Sequence, residues 1–418
     1  MSSSQGIVTT TFKKKLAAIA GILLLFALVT IGVQTQFTSK TPGANDFYPR
    51  WKGAQLFFQE GIDPYSEEAT LAIQQTLYGR PATPEEDQAL FVYPFYTVLT
   101  LFPLVWLPYS WVQAIWLSAL IFSLGASLFI ILDYLGWKMS LPTMAVALIW
   151  MIVMYNSSRT VIIGQYAGLI LLWLAGCLWA LRQKRDGLAG ILLALTTIKP
   201  QMIFLVIPAL AIWGIGQKRW RFAGIFAGSM LALVAVSFLM HPSWLQGFIH
   251  QLTSYPSYTD IGSPLWVITG YYFPQLGKPV EWGFILLCLG YLFYQWRRLP
   301  AVSAGSAEFT YLIGLTLIIT NLVVIRTATT NYIVMYIPLL FLLQSVESRY
   351  GSLWTILFFV VTVIGTWGLF LYTVAGIWEH PINYLPLPFG LMFIFLLWGK
   401  KRLISKTQTE KEHVVIPS

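Results

Sequence analysis

The sequence predicts an all-α fold, a polytopic bundle of transmembrane helices. Three observations carry that expectation. Of 418 residues, 57% are hydrophobic and only 10% are charged, against about 25% charged in soluble domains. Mean hydropathy is +0.67. The apolar residues fall in long runs separated by short basic clusters, as in spans whose cytoplasmic loops retain Lys and Arg. So few charges cannot cover a water-facing surface, which excludes soluble enzymes, secreted scaffolds and disordered chains. The net charge of +9 follows from the basic loops and implies no nucleic-acid partner. Cys177 and Cys288 lie inside apolar runs and read as small core residues, not as a disulfide or a metal site.

The first span is Leu16–Val33, preceded by Lys13, Lys14 and Lys15. No small-x-small cleavage site clearly follows, so it reads as an uncleaved helix with the N-terminus inside. The long polar segment 34–90 then lies outside and holds eight of the 17 acidic residues. Within it, Asp63-Pro64-Tyr65-Ser66 is a turn, Ser66 an N-cap for a helix over Glu67–Tyr78, and Trp51–Gln59 a second helix. The run Phe91–Leu107 carries Pro94 and Pro103, with Pro108 just beyond, and reads as a segment embedded in the outer leaflet. Further apolar runs fall near 109–134, 141–157, 162–181, 187–198, 200–215, 221–240, 280–296, 306–325, 331–347, 351–375 and 385–399.

Placing the basic clusters at Lys138, 182–185, 218–221, Arg297-Arg298, Arg349 and 400–402 inside gives one consistent path. On that path 187–215 has two cytoplasmic ends. Twelve residues of helix reach about 18 Å, short of a ~30 Å hydrocarbon core. The segment is therefore expected as a hairpin of short helices with Lys199-Pro200 at its tip. The expectation is about ten full spans plus this hairpin, in one membrane domain over 1–402, with an outer loop at 241–279. A polar cytoplasmic tail follows at 403–418. No repeat of 20–50 residues and no low-complexity tract is visible.

No P-loop, GxGxxG in strand context, HExxH or CxxC occurs, which argues against an ATP-driven pump. What remains is a set of polar residues expected on the outer face. Asp46, in Asn45-Asp46-Phe47-Tyr48-Pro49-Arg50, is a carboxylate among aromatic rings. It suits a general base if partly desolvated, or a helix cap or partner of Arg50 if not. Lys199 at the hairpin tip either holds the phosphate of a lipid carrier in a cavity or snorkels to the outer interface. Asn156, Arg159 and Gln165 cluster at one outer turn and Arg326 at another. Arginine is unexpected outside and is a bidentate phosphate ligand, though lipid headgroups or the acidic loop would also pair with it. His241 and His380 fall at outer span ends, and no spacing demands a metal.

Asp46-Phe47-Tyr48, then Gly61-Ile62-Asp63-Pro64-Tyr65, then Phe91-Val92-Tyr93-Pro94 resemble the first outer loop of glycosyltransferase family 87-like proteins. Gly164-Gln165, Ile198-Lys199-Pro200 and the closing Lys218-Arg219-Trp220-Arg221 follow in the same order. Phe95 departs, standing where a second proline is often found. The resemblance covers about 10–240 and implies the GT-C membrane fold. It also implies a hexose, mannose-like, moved from a polyprenyl-phosphate donor to a lipid or glycan acceptor, with inversion, at the outer face of the plasma membrane.

By that resemblance Asp46 is the catalytic base, and Asp63 shapes its turn. Lys199, Arg159 and Arg326 are the expected donor-phosphate ligands. Gln165, Asn156, Tyr48, Arg50, Tyr93, His241 and His380 are the expected cavity residues. No cofactor is required, and a divalent metal is left open. The alternative is a non-catalytic lipid transporter, flippase or glycan-assembly scaffold. A transporter should show paired broken helices in its two halves, and only one hairpin is visible.

Overall fold

The computed structural model describes residues 2–84, 86–254, 262–376 and 379–397. The basic cluster 400–402 and the tail 403–418 lie outside the described residues, as does 255–261 of the outer loop. The fold is all-α. Helix α1 (Ser2–Val33) runs on through a π turn at Gln34–Thr38, so the first span ends at Thr38 and not at Val33. Thr38 Oγ1 then donates to the Ser110 carbonyl at 2.6 Å, tying it to the next span. The polar segment forms α2 (Tyr48–Glu60) and α3 (Glu67–Tyr78). Ser66 caps α3 as expected, its Oγ accepting from the Ala69 N–H at 3.1 Å. The run after Phe91 gives only the short α4 (Thr97–Leu101) and a 3-10 turn at Phe102–Leu104, because its prolines lack the N–H that helix propagation needs.

Next come α5 (Tyr109–Leu135), α6 (Leu141–Val153), α7 (Tyr155–Ile162), α8 (Ala167–Arg182) and α9 (Asp186–Thr196). They are followed by α10 (Val206–Gly216), α11 (Trp220–Met240), α12 (Trp244–Ser254) and the single turn α13 (Pro264–Trp266). The last described helices are α14 (Gly277–Trp296), α15 (Ala307–Val323), α16 (Tyr336–Tyr350), α17 (Ser352–Thr373) and α18 (Pro386–Leu397).

About ten full spans are not confirmed among the described residues. Six helices among the described residues are long and apolar enough to cross a membrane: Leu16–Thr38, Tyr109–Leu135, Trp220–Met240, Pro274–Ala301, Thr329–Tyr350 and Ser352–Thr373. The pair α6–α7, bent by 51°, makes a seventh if it is one broken span. Here the expected outer turn at Asn156–Arg159 is instead helix. Hydropathy ends the apolar run at these polar residues, but their backbone continues to Ile162. Helices α8, α9, α10, α15 and α18 are apolar but short; the 16 residues of α8 reach about 24 Å.

Burial sorts the helices into layers. In the Leu16–Thr38 span only 6% of the apolar window is buried, and in Trp220–Met240 and Ser352–Thr373 11%. Thr329–Tyr350 reaches 83%, which places it in the core and the others at the rim. Every residue of α15 from Phe309 to Val323 is buried, as an all-round apolar helix must be. Helix α5 packs along α8, α8 along α9, and α9 along α11.

The expected break at Lys199-Pro200 is present. Helix α9 stops at Thr196, a 3-10 turn covers Pro200–Met202, and α10 starts at Val206. The ends of this helical hairpin remote from the break return to one place, where Arg219 grips the Asp186 carboxylate. Arg182 Nη1 donates to the Asp133 carbonyl (2.8 Å), Gln217 to Pro300 (2.7 Å) and Gln344 to Leu135 (3.2 Å). The described basic clusters therefore gather at one end of the bundle. The break at Lys199 lies toward the other end, where the Tyr96 hydroxyl donates to the Thr197 carbonyl at 3.0 Å.

Candidate active site

At that opposite end the entry to α2 is pinned against the α7–α8 turn. Phe47, fully buried, stacks on Trp116 with ring centroids 4.3 Å apart. The Trp116 indole N–H donates to the Gly164 carbonyl at 2.8 Å, and the Asp46 N–H to the Ile163 carbonyl at 3.1 Å. Gly164 has φ +73°, and a Cβ there would lie 2.6 Å from the Phe47 Cβ. Glycine is what lets the two backbones meet.

This junction sets Asp46 beside Gln165, whose Nε2 donates to Asp46 Oδ2. Gln165 Oε1 in turn accepts from Lys199 Nζ at 2.5 Å and from the Tyr93 hydroxyl at 3.4 Å. The Arg50 guanidinium lies over the Tyr93 ring, 4.6 Å from its centroid, a cation–π contact that holds both. Five residues from four separate segments thus form one cluster. It opens on a cavity of about 180 Å³ lined by Asn45, Asp46, Arg50, Tyr78, Asp87 and Gln165, among others. The Tyr78 phenol is pushed up to about 12 by burial, with Asp87 and Glu86 adding to it. It stays protonated at neutral pH and donates to the Asp87 carbonyl at 2.8 Å. Tyr78, Asp87 and Asn45 were not expected in the cavity. Asn45 comes with its neighbour Asp46, whereas Tyr78, the last residue of α3, and Asp87 beyond it carry no motif and reach the cavity because α3 packs on α2.

The other expected residues are placed elsewhere. Tyr48 is buried against Trp51 and Tyr109 rather than lining the cavity. Asn156 ties α7 to the start of the 329–350 helix through the Thr329 carbonyl (2.8 Å). Asp63 accepts from the Tyr65 N–H (2.8 Å) and faces His241 Nε2 at 3.0 Å, so both hold the first loop. Asp63 also lines a second, open groove of about 850 Å³, shared with α12. His380 caps a 3-10 turn at Pro381–Tyr384 and meets the Tyr271 hydroxyl at 3.2 Å. Arg326 is partly exposed, two residues before Ala328, which lines the small cavity.

Arg159 has an internal counter-ion that no sequence signal marked. Glu379 Oε2 lies 3.8 Å from its guanidinium and also accepts from Thr329 Oγ1 (3.1 Å), while Oε1 accepts from the Tyr155 hydroxyl (2.6 Å). Burial pushes the Glu379 carboxyl up, against the pull of Arg159. Removing one partner of a buried pair strands the other, at a cost of about 3–5 kcal/mol. Arg159→Ala is therefore expected to lower the melting temperature sharply, and adding Glu379→Gln to recover part of the loss. A variant that melts like wild type but needs more donor would restore the phosphate role to Arg159.

The apolar helical bundle defines a multi-pass membrane protein, with a helical hairpin and a carboxylate–amide–amine cluster at one end. The model of glycosyltransferase family 87 matches residues 91–324, more than half of the chain. The chain belongs to that family and is a membrane glycosyltransferase. No curated protein and no solved structure matches it. The matched stretch contains Tyr93, Gln165 and Lys199; Asp46 and Arg50 precede it.

Proposed function

We propose that this protein moves a hexose from a polyprenyl-phosphate-linked donor to a lipid or glycan acceptor at the outer face of the plasma membrane. Both termini are then cytoplasmic. The observation that carries the reading is Asp46, fixed by Gln165 at the wall of a small polar cavity. Asp46 accepts the proton of an acceptor hydroxyl as that oxygen bonds to the anomeric carbon. The bond from that carbon to the phosphate oxygen breaks on the opposite face, and the configuration inverts. The electron pair leaves with the polyprenyl phosphate, whose charge a nearby cation stabilises in a site poor in water. Of the three cations expected for this role we assign it to Arg326, two residues before Ala328 of the cavity wall. The step needs no cofactor.

The clustering of the basic loops at the end away from Asp46 supports the outer placement, since retained Lys and Arg mark the cytoplasmic side. With Cys177 and Cys288 replaced, Glu60→Cys is expected to react with an impermeant maleimide from outside and Lys184→Cys from inside. The reverse pattern would overturn the outer site. Activity is tested in nanodiscs with polyprenyl phosphates carrying mannose, glucose or galactose and a membrane-lipid extract as acceptor. Transfer from at least one is expected. Transfer only from sugar nucleotides would refute the donor.

A further inference from the structure

Lys199 is only 4% exposed and lines neither the 180 Å³ cavity nor the 850 Å³ groove. Among the described residues, the bond to Gln165 Oε1 is the one hydrogen bond its side-chain amine makes. An ammonium is a donor without acceptor capacity, whereas a carboxylate is the converse. Gln165 stands between the two, with an oxygen at one end of its amide and an NH2 at the other. Only one orientation of that amide satisfies both neighbours. Turned over, its NH2 would face the Lys199 donors and its oxygen would face Asp46, leaving buried polar groups unpaired. The Tyr93 hydroxyl, a second donor on the same Oε1, biases the amide the same way.

We propose that Lys199 is a positioning residue: through Gln165 it aims an amide N–H at Asp46 Oδ2, so that Asp46 meets its substrate with Oδ1. This rests on the reading of Asp46 as the base. The position of Lys199 suits the role. It caps the break between α9 and α10, where Pro200 ends the helix, so its stem is anchored by the hairpin and its amine reaches the α7–α8 turn. A carboxylate free to rotate would present its oxygens in many directions. One fixed by a donor on one oxygen is already oriented for proton transfer, and small misplacements at a reacting centre cost up to about a hundredfold.

A phosphate ligand and a positioning residue differ in what their loss changes. The test measures kcat and donor KM with whichever polyprenyl-phospho-hexose of the mannose, glucose and galactose set supports transfer. Lys199→Met keeps the stem and removes the donors. It is expected to lower kcat roughly tenfold to a hundredfold and to leave donor KM unchanged. In an Asp46→Asn background it should cost nothing more, because residues that act through one group are not additive. Gln165→Ala breaks the same link with Lys199 in place, and is expected to show the same kcat loss at unchanged donor KM, so the test stands should Lys199→Met fold poorly.

A rise in donor KM at constant kcat would assign Lys199 to the phosphate and overturn the proposal. An additive loss in the Asp46→Asn background would do the same. Normal turnover by Asp46→Asn itself removes the base reading. A severe Asp46→Asn defect beside an unaffected Lys199→Met removes only the link through Gln165.

Discussion

Asp46→Asn should lower turnover by about 10²–10⁴-fold, the usual worth of general-base assistance, while the protein folds and binds donor as before. Asparagine keeps the shape and still accepts from Gln165 Nε2 through its carbonyl oxygen, so the docking of α2 on the α7–α8 turn is undisturbed. The informative control is Asp63→Asn. Asp63 belongs to the same loop, but its carboxylate holds the Tyr65 N–H and faces His241. Its loss should loosen the loop and lower thermal stability with a smaller effect on the chemical step. Rates and melting curves of the two variants, measured side by side, separate chemistry from disruption. Near-normal turnover of Asp46→Asn beside an inactive Asp63→Asn would transfer the base to Asp63.

Gly164→Ala should cost both stability and activity, because it strains the backbone and overpacks the junction that holds the site. Its φ of +73° costs an L-residue roughly 1–2 kcal/mol. The added Cβ would also sit 2.6 Å from the Phe47 Cβ and 2.9 Å from the Ala44 Cβ, and overpacking of that kind costs about 1–3 kcal/mol more. The two strands of chain that carry Asp46 and Gln165 would have to part, so activity should fall along with the melting temperature. Gly61→Ala isolates the backbone part of the effect. Its φ is +72° and a Cβ there meets nothing within 4 Å, so its loss should be confined to the first contribution. Equal melting shifts for the two variants would show that the contact with Phe47 does not hold the site together.

Much of the fold was legible because it rests on local chemistry. Ser66 before Glu67-Glu68 marks a helix start wherever the chain goes next, and α3 begins there. Pro200 lacks an N–H, so the apolar stretch 187–215 had to break near it, and it does. Counting spans succeeded less well. Hydropathy separated 141–157 from 162–181, yet the chain bends at Met154 and keeps helix through Asn156-Ser157-Ser158-Arg159. Polar side chains end an apolar run without ending a helix, because neighbouring elements bond them. Asn156 finds the Thr329 carbonyl and Ser157 the Tyr336 hydroxyl (3.0 Å).

By itself, then, the sequence determined the membrane class, the polar loop after the first span, the capped helix within it and the broken hairpin. Each follows from composition or from a constraint acting over a few residues. Only the tertiary structure decided which polar residues share a site. Asp46, Gln165 and Lys199 form one chain of hydrogen bonds although 119 and 34 residues separate the successive pairs. Arg159, expected beside them, is claimed by Glu379. The desolvation that makes a buried charge costly forces each to find a partner. Which partner it finds is set by helix packing, and no spacing along the chain encodes it.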